Sequence, residues 1–217
     1  MIRPLLKLGL QELGLDICEE EILQFEIFTD ELKKWNHKVN LTNITSDEDI
    51  VAKHLLDSIV IANLIKEGEN VLDIGSGAGF PAIPLKIVKP DAEIVSVDAV
   101  NKKILFQKHV SRILKFKKFE ALHVRVEKMP ATHAQRFDVI TSRAFSQLDQ
   151  FVDFAAPLLA EGGRMIAMKG PAAIDELSKV EAGLLKKGFE ISAILPYFLP
   201  LNKGERNLIV IRSLRPH

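Results

Sequence analysis

Apolar residues follow two different patterns along the chain. In the first part they recur every three or four positions, as at Ile22 and Phe25, which is the spacing of an amphipathic helix. Further on, short apolar runs rich in β-branched residues alternate with helical stretches. The change of pattern predicts an N-terminal helical cap over residues 1–68 and an α/β domain over residues 69–217.

Seven β-strands are predicted in the second part of the chain. Helical stretches separate most of them, which is typical of a mostly parallel sheet covered on both faces. No helical stretch lies between the last two strands, so the last strand is predicted to pair antiparallel. The predicted strands are residues 71–74, 93–97, 121–124, 137–141, 164–168, 190–195 and 208–211.

The first part contains two predicted helices with a polar break between them. The break, residues 35–42, is predicted to be a loop, and the second helix starts at Asp47. Asn40 in this loop could turn the backbone or line the entrance for a nucleobase. On the second helix, His54 and Asp57 lie three residues apart and are interpreted as a pair on the helix surface.

Composition indicates a protein without disulfides or metal. The 217 residues contain one cysteine, Cys18, so neither an internal disulfide nor a cysteine-based zinc cluster can form within the chain. No apolar stretch approaches the ~18 residues that span a bilayer, and the first 15 residues do not resemble a signal peptide. We expect a cytoplasmic protein, a monomer, with no metal and no membrane partner.

The zero net charge hides an asymmetry between the two parts of the chain. The first 70 residues carry 7 Lys and Arg against 14 Asp and Glu, and the remainder carries 22 against 15. Residues 101–118 contain seven cationic residues, among them Lys102 and Lys103, and no acid. This run indicates a polyanionic partner, although a solvated helix face is an equal alternative.

A glycine-rich turn follows the first predicted strand. Gly75, Gly77 and Gly79 can adopt backbone angles closed to other residues and allow close approach of a ligand. Asp98, at the end of the second strand, is suitably placed to bind ribose hydroxyls. In open α/β sheets ligands bind beyond the carboxyl ends of the strands, so the two features predict a nucleoside site. The alternative is a purely structural strand-to-helix turn.

The spacing of these glycines favours one nucleoside cofactor over another. A dinucleotide site has the pattern G-x-G-x-x-G and binds a pyrophosphate, whereas this chain has G-x-G-x-G preceded by Asp73. A carboxylate at that position would repel phosphate and attract an ammonium or sulfonium group. We therefore expect S-adenosylmethionine and not NAD. Val126 and Glu127 after the third strand could contact its adenine, and Phe80 could pack beside it or belong to the core.

The segment after the fourth strand indicates the acceptor of the methyl group. It lacks the Asn/Asp-Pro-Pro-aromatic stretch typical of exocyclic-amine methylation. Methylation at pyrimidine C5 needs a cysteine nucleophile, and Cys18 lies in a predicted N-terminal helix, far from this segment in the chain. An acceptor with its own lone pair, such as guanine N7, remains. Arg143 is the candidate catalytic residue here: it could hold guanine O6, a phosphate or the cofactor carboxylate. The alternative for Arg143 is a surface ion pair.

Several short motifs resemble those of the glucose-inhibited division protein B family. These bacterial enzymes methylate guanine N7 in 16S ribosomal RNA of the small subunit. The motifs are Trp35-Asn36, Asn40-Leu41-Thr42, His54-Leu55-Leu56-Asp57-Ser58, the run from Asp73 to Pro81, Asp98 with Lys102-Lys103, Arg125-Val126-Glu127, Ser142-Arg143-Ala144, Lys169-Gly170 and Gly204-Glu205-Arg206.

The resemblance implies a class I, Rossmann-like methyltransferase fold with an N-terminal helical extension. It also implies guanine 527 as the target, 16S RNA or a small-subunit particle as partner, and a basic rim of Lys169 and Arg206 that contacts RNA. The positions that match cofactor contacts in the family are Gly75, Phe80, Val126, Glu127 and Arg143. Two alternatives stay open from the sequence: a nicotinamide-dependent oxidoreductase, and an assembly factor that binds the cofactor without catalysis.

Overall fold

A seven-stranded sheet lies at the centre of the molecule. The computed structural model describes residues 2–214 except 144 and 146, with the side chains of 173–176, 178 and 179 also excepted. All seven predicted strands are confirmed; the first four are one residue longer than expected and the last three are longer by four to six residues. The strands are β1 (Asn70–Ile74), β2 (Glu93–Asp98), β3 (Phe119–His123), β4 (Phe137–Ser142), β5 (Leu159–Lys169), β6 (Phe189–Phe198) and β7 (Glu205–Ser213).

Helices precede the sheet and connect most of its strands. Short 3-10 turns at Val126–Lys128 and Ala156–Leu158 follow β3 and precede β5. The α-helices are α1 (Arg3–Glu12), α2 (Glu19–Val39), α3 (Asp47–Ile50), α4 (Asp57–Ile59), α5 (Ala82–Val88), α6 (Asn101–Ile113), α7 (Pro130–His133), α8 (Leu148–Ala155) and α9 (Ala173–Lys186). A π-helical turn, Val51–Leu56, joins α3 to α4, and a 3-10 helix, Val60–Leu64, follows α4. Within the described part of the chain, no helix is long and apolar enough to cross a membrane.

The strand order is β3-β2-β1-β4-β5-β7-β6. The first five strands are parallel, and β7 pairs antiparallel with both β5 and β6, which confirms the expected antiparallel end of the sheet. The order reverses between β1 and β4. Connections leave these two strands in opposite directions, so a crevice opens beyond their carboxyl ends.

The N-terminal helices share an apolar core with α5 and α6. Phe28 of α2 lies with its ring 5.3 Å from that of Phe80 and 6.1 Å from that of Phe106. Trp35 packs on Phe106 at 5.6 Å, at the edge of the same core. The boundary predicted between residues 68 and 69 falls in the turn before β1. This packing fixes the N-terminal helices against the face of the sheet that carries α5 and α6.

The predicted loop over residues 35–42 is wrong in its first half, because α2 continues to Val39. The helix ends at Asn40, whose φ of 46° is left-handed. The side chain of Asn36 then replaces the helical hydrogen bonds: Oδ1 accepts from the amides of Leu41 and Thr42, and Nδ2 donates to the Thr42 carbonyl. Asn36 is therefore a residue of the last helical turn whose side chain ends α2, and it is not part of a loop.

Candidate active site

The glycine turn after β1 is closed by hydrogen bonds within the protein. The amides of Gly75 and Ser76 donate to the Val97 carbonyl at 2.9 and 3.1 Å, and the Gly77 amide donates to Oδ2 of Asp98 at 2.9 Å. The amides of Gly79 and Phe80 donate to the Ser76 carbonyl. These five amides are therefore already used and are not aimed at a ligand phosphate.

Gln107 of α6 holds the same turn from below. Its Nε2 donates to Ser76 Oγ at 2.7 Å and to the Gly77 carbonyl at 2.9 Å, while Oε1 accepts from Ser96 Oγ at 2.6 Å. Gln107 is completely buried. Gln107 was not among the predicted site residues. Its position on the apolar face of α6, three residues after Ile104, is the sequence signal that indicates a buried, hydrogen-bonded amide.

Asp98 lies at the mouth of the crevice. Oδ2 accepts from the Gly77 amide and Oδ1 from the Val100 amide at 2.8 Å, so the carboxylate is fixed in orientation. Lys103 at the start of α6 approaches Oδ2 to 3.9 Å. Each carboxylate oxygen keeps a second lone pair that can accept from a ribose hydroxyl.

A cleft of about 340 Å³ opens beside Asp98. Gly75, Val126 and Glu127 line it, so the structure brings these predicted cofactor residues together. Phe145 and Phe154, which the sequence analysis did not single out, form an apolar wall. The combination of apolar walls with carboxylate acceptors suits the ring and amino group of an adenine.

Gly77 and Gly79 serve the turn itself. A Cβ on Gly79 would lie 2.4 Å from the Ile83 side chain, whereas one on Gly77 would meet only Lys103 Nζ, at 3.9 Å. Both glycines have positive φ, 59° and 91°. Gly79 therefore allows α5 to pack close to the turn.

Asp73 is completely buried beneath the turn. Its Oδ2 accepts from the Ala82 amide at 3.1 Å, and Oδ1 has no hydrogen-bond partner among the described residues. Burial raises the pKa of Asp73 to about 7, so its charge at neutral pH is only partial. The turn therefore disfavours a phosphate mainly because its amides are already hydrogen-bonded, and less through the charge of Asp73.

Arg143, directly after β4, is held by the helical segment 51–59. Nη1 donates to the Lys53 carbonyl at 3.1 Å and lies 3.2 Å from Oδ2 of Asp57. Nη2 lies 3.2 Å from Nδ1 of His54. The guanidinium carbon stands 5.6 Å from the centre of the Phe80 ring. The alternative of a surface ion pair is wrong, because Asp57 is a buried residue.

His54 is buried and neutral. Burial, with the adjacent Arg143 charge, lowers the pKa of His54 to about 3. Because the guanidinium can only donate, Nδ1 must accept, and the ring proton is therefore on Nε2, which donates to Thr42 Oγ1 at 2.9 Å. The ring stacks on Phe80 with centroids 4.2 Å apart. The expectation of a His54–Asp57 pair on the helix surface is wrong, since both side chains face inward and hold Arg143.

A second cavity, of about 390 Å³, is lined by Arg143 itself. Lys169 and Arg206 line it, as does Lys53, and the structure thus brings the predicted basic rim to Arg143. Lys169 Nζ donates to the carbonyl of Phe145, which lines the first cleft. The two cavities are therefore neighbours.

The remaining predicted residues lie outside these two cavities. Asn40 lines a separate cavity of about 480 Å³ together with His37 and Thr42. Lys102 is exposed at the start of α6, beside Lys103. Ala144 of the Ser142-Arg143-Ala144 motif lies outside the described residues.

These features fit S-adenosylmethionine better than a dinucleotide. A pyrophosphate needs free amides at the start of a helix, and the amides of this turn are already bonded. Solved structures with the same fold include a ribosomal protein L11 methylase from Lactobacillus delbrueckii subsp. bulgaricus (TM-score 0.58, 15% identity, 75% of this chain and 79% of that chain). Another is an S-adenosylmethionine-dependent methyltransferase from Aquifex aeolicus (TM-score 0.56, 18% identity, 71% and 88%). The chain therefore has the fold of the class I methyltransferases.

Sequence comparison gives the family. The profile of the family described as rRNA small subunit methyltransferase G (GidB) matches residues 21–208. The ribosomal RNA small subunit methyltransferase G of Geotalea uraniireducens is 45% identical over 98% of this chain and 97% of its own length. The protein of that name from Desulfitobacterium hafniense is 37% identical over 95% and 87%. The chain belongs to this family, which confirms the resemblance, and it is an S-adenosylmethionine-dependent methyltransferase.

Proposed function

We propose that the protein transfers a methyl group from S-adenosylmethionine to guanine N7 of 16S ribosomal RNA, at guanine 527. The substrate is the RNA itself or a small-subunit particle, and the site of action is the bacterial cytoplasm. The observation that carries the proposal is the pair of neighbouring cavities: one has carboxylates and apolar walls, and the other is lined by Lys53, Lys169 and Arg206. One suits a nucleoside cofactor and the other a polyanionic substrate.

S-adenosylmethionine, when bound, would supply a sulfonium methyl group for transfer to the lone pair of guanine N7, with the carbon–sulfur electron pair left on sulfur. Guanine N7 needs no general base, so the protein's task is to orient the two reactants. We assign ribose binding to Asp98 and adenine binding to Val126 and Glu127. Gly75 forms the floor of the cleft. Asp73, Gly77 and Gly79 keep the turn in shape.

Arg143 is assigned to the reacting centre, because it lines the second cavity, beside the cofactor cleft, and Phe80 and His54 fix its guanidinium. It acts by donating to an oxygen of the substrate, such as guanine O6, so that the free N7 is held in line with the methyl group. Lys169 and Arg206 contact the RNA backbone close to the target. Lys102 and Lys103 extend that contact along α6, and Asn40 contacts RNA from the N-terminal helices.

The experiment is methylation of stripped small-subunit RNA with methyl-labelled S-adenosylmethionine, followed by digestion to nucleosides. We expect the label in 7-methylguanosine at one position. Arg143→Ala is expected to lower the rate by about a hundredfold or more, by the loss of a positioned charged donor. A matched control is Arg212→Ala on the distant end of β7. Label in any other nucleoside would reject the assignment of the acceptor.

Binding measurements separate the remaining functions. Titration should show binding of S-adenosylhomocysteine and none of NAD(H), and Asp98→Asn should weaken the former by about tenfold, since a charge-assisted hydrogen bond is lost. The control is Glu93→Gln, at the opposite end of β2. An assembly factor without catalysis would bind cofactor and RNA, and Arg143→Ala would leave its function in cells intact.

A further inference from the structure

The second cavity contains one carboxylate among its cationic groups. Asp57 lines it together with Arg143, Lys53, Lys169, Arg206 and Tyr197. A negative group is out of place if the cavity binds only phosphate. A carboxylate on the wall of this cavity suits a ligand that also has hydrogen-bond donors.

Asp57 is held in place from two sides. Tyr197 on β6 donates its hydroxyl to Oδ1 at 2.7 Å, and Nη1 of Arg143 lies 3.2 Å from Oδ2. Burial and the negative Asp57 raise the pKa of Tyr197 above its ordinary value, so the hydroxyl stays a donor. An ionised carboxylate has about four acceptor positions, and these two contacts leave others that can face the cavity.

Arg143 and Asp57 thus present a donor and an acceptor side by side. Along the edge of guanine the order of groups is N7, the acceptor O6, and then the donors N1–H and N2–H. With N7 at the cofactor cleft, O6 comes to Arg143 and the two donors come to Asp57. Adenine has a donor where guanine has O6 and an acceptor at N1, so the same pair of side chains would repel it.

We propose that Asp57 determines the specificity for guanine by accepting from N1–H and N2–H of the target base, with Tyr197 as the positioning residue of its carboxylate. The inference rests on the proposed function and adds the group that selects the base. The cavity volume of about 390 Å³ lies within the ~300–1,000 Å³ of small-molecule pockets, so a base fits.

The test uses RNA in which the methylated guanine is replaced by inosine, which keeps N7, O6 and N1–H but lacks N2–H. The quantity measured is the ratio of kcat/KM for guanine RNA to that for inosine RNA. Because both values come from one preparation, the ratio does not depend on the fraction of folded protein. We expect about tenfold for the wild-type protein, the loss of one hydrogen bond to a charged group.

Asp57→Asn should bring this ratio toward one, with the same trend in the affinity of the two RNAs measured in the presence of S-adenosylhomocysteine. If Asp57 only orients Arg143, the variant lowers both rates equally and the ratio is unchanged, which would overturn the inference. A wild-type ratio near one would also overturn it. Asp91→Asn, an exposed carboxylate before β2, is the control and should keep the wild-type ratio.

Should Asp57→Asn fail to bind S-adenosylhomocysteine, Tyr197→Phe decides the question. This variant keeps the carboxylate but loses the hydroxyl that orients it, so a lowered ratio supports the inference and an unchanged one overturns it. Failure of the proposed function is distinguishable, since the wild-type protein would then not methylate guanine N7 at all.

Discussion

At the scale of single residues, His54 shows how burial sets the chemistry of the site. A protonated imidazole could not accept from Arg143, so the neutral form is needed for the contact between Nδ1 and the guanidinium. Burial supplies that form by lowering the pKa of His54 to about 3. The orientation of Arg143 therefore depends on a side chain whose protonation costs folding free energy.

This dependence predicts a pH effect on stability. His54 titrates near 6.5 in an unfolded chain and at about 3 in the folded protein. Between about pH 3 and pH 6.5 the imidazole of His54 binds a proton in the unfolded state but not in the folded state. The stabilising contribution of His54 is therefore complete above about pH 6.5 and is lost as the pH falls. Relative to His54→Gln, the wild-type free energy of unfolding should fall by about 2 kcal/mol between pH 7 and pH 5.

Denaturant unfolding at the two pH values provides the measurement. Asp73, whose pKa is raised to about 7, has the opposite pH dependence, so the difference between wild type and variant is informative and the absolute slope is not. His123→Gln removes an exposed imidazole on β3 and serves as the control. A wild-type-to-variant difference that does not change with pH would show that His54 is not protonated on unfolding.

At the scale of elements, the segment from Asp47 to Leu64 matters most. The sequence predicted a helix there, and a helix is present. Its middle, Val51–Leu56, is a π-helical turn, in which hydrogen bonds span five residues. The Lys53 carbonyl accepts from Arg143 and the His54 carbonyl from Ser58. Periodicity of apolar residues cannot reveal this widening, because the side chains of Arg143, after β4, and of Ser58, in α4, complete its hydrogen bonds.

The glycine turn gives a prediction at the same scale. In Gly79→Ala, the new Cβ would lie 2.4 Å from the buried Ile83 side chain, at a φ of 91°. Gly188→Ala introduces a Cβ at a φ of 82° with no atom within 4 Å, so it isolates the backbone cost. Gly79→Ala should lose about 1–3 kcal/mol more than the control in chemical denaturation, because the core there is overpacked. Equal losses would mean that α5 moves freely away from the turn.

At the scale of the whole molecule, charge is separated between the acidic first part and the basic remainder. The exposed surface of α6 carries Lys102 at its start, beside the cofactor turn, and Lys108 and Arg112 four residues apart on one face. Binding of RNA to such a surface releases counterions from the phosphates, so added salt weakens it. Removing the charges reduces the number of counterions released. The face is therefore expected to contribute binding energy without sequence selectivity.

Replacement of Lys102, Lys108 and Arg112 by Gln should weaken RNA binding and reduce the slope of log K against log salt by about 2 to 3. The matched control replaces the exposed Lys7, Lys34 and Lys66 of the first part, which should leave the slope unchanged. The measurement is a binding isotherm at several salt concentrations. An equal slope in both variants would identify the run on α6 as a solvated helix face, the alternative left open by the sequence.

The sequence by itself determined the order of the strands along the chain and the family. It also determined that the glycine turn follows β1 and that Asp98 lies at the end of β2. These properties follow from local patterns: alternation of apolar residues, glycine spacing and short motifs. Tertiary structure alone decided which residues surround Arg143, since His54 is 89 residues and Tyr197 is 54 residues away along the chain. It also decided that Asp57 faces a cavity and that Gln107 holds the turn, because burial and hydrogen bonding between distant segments arise only when the helices pack on the sheet.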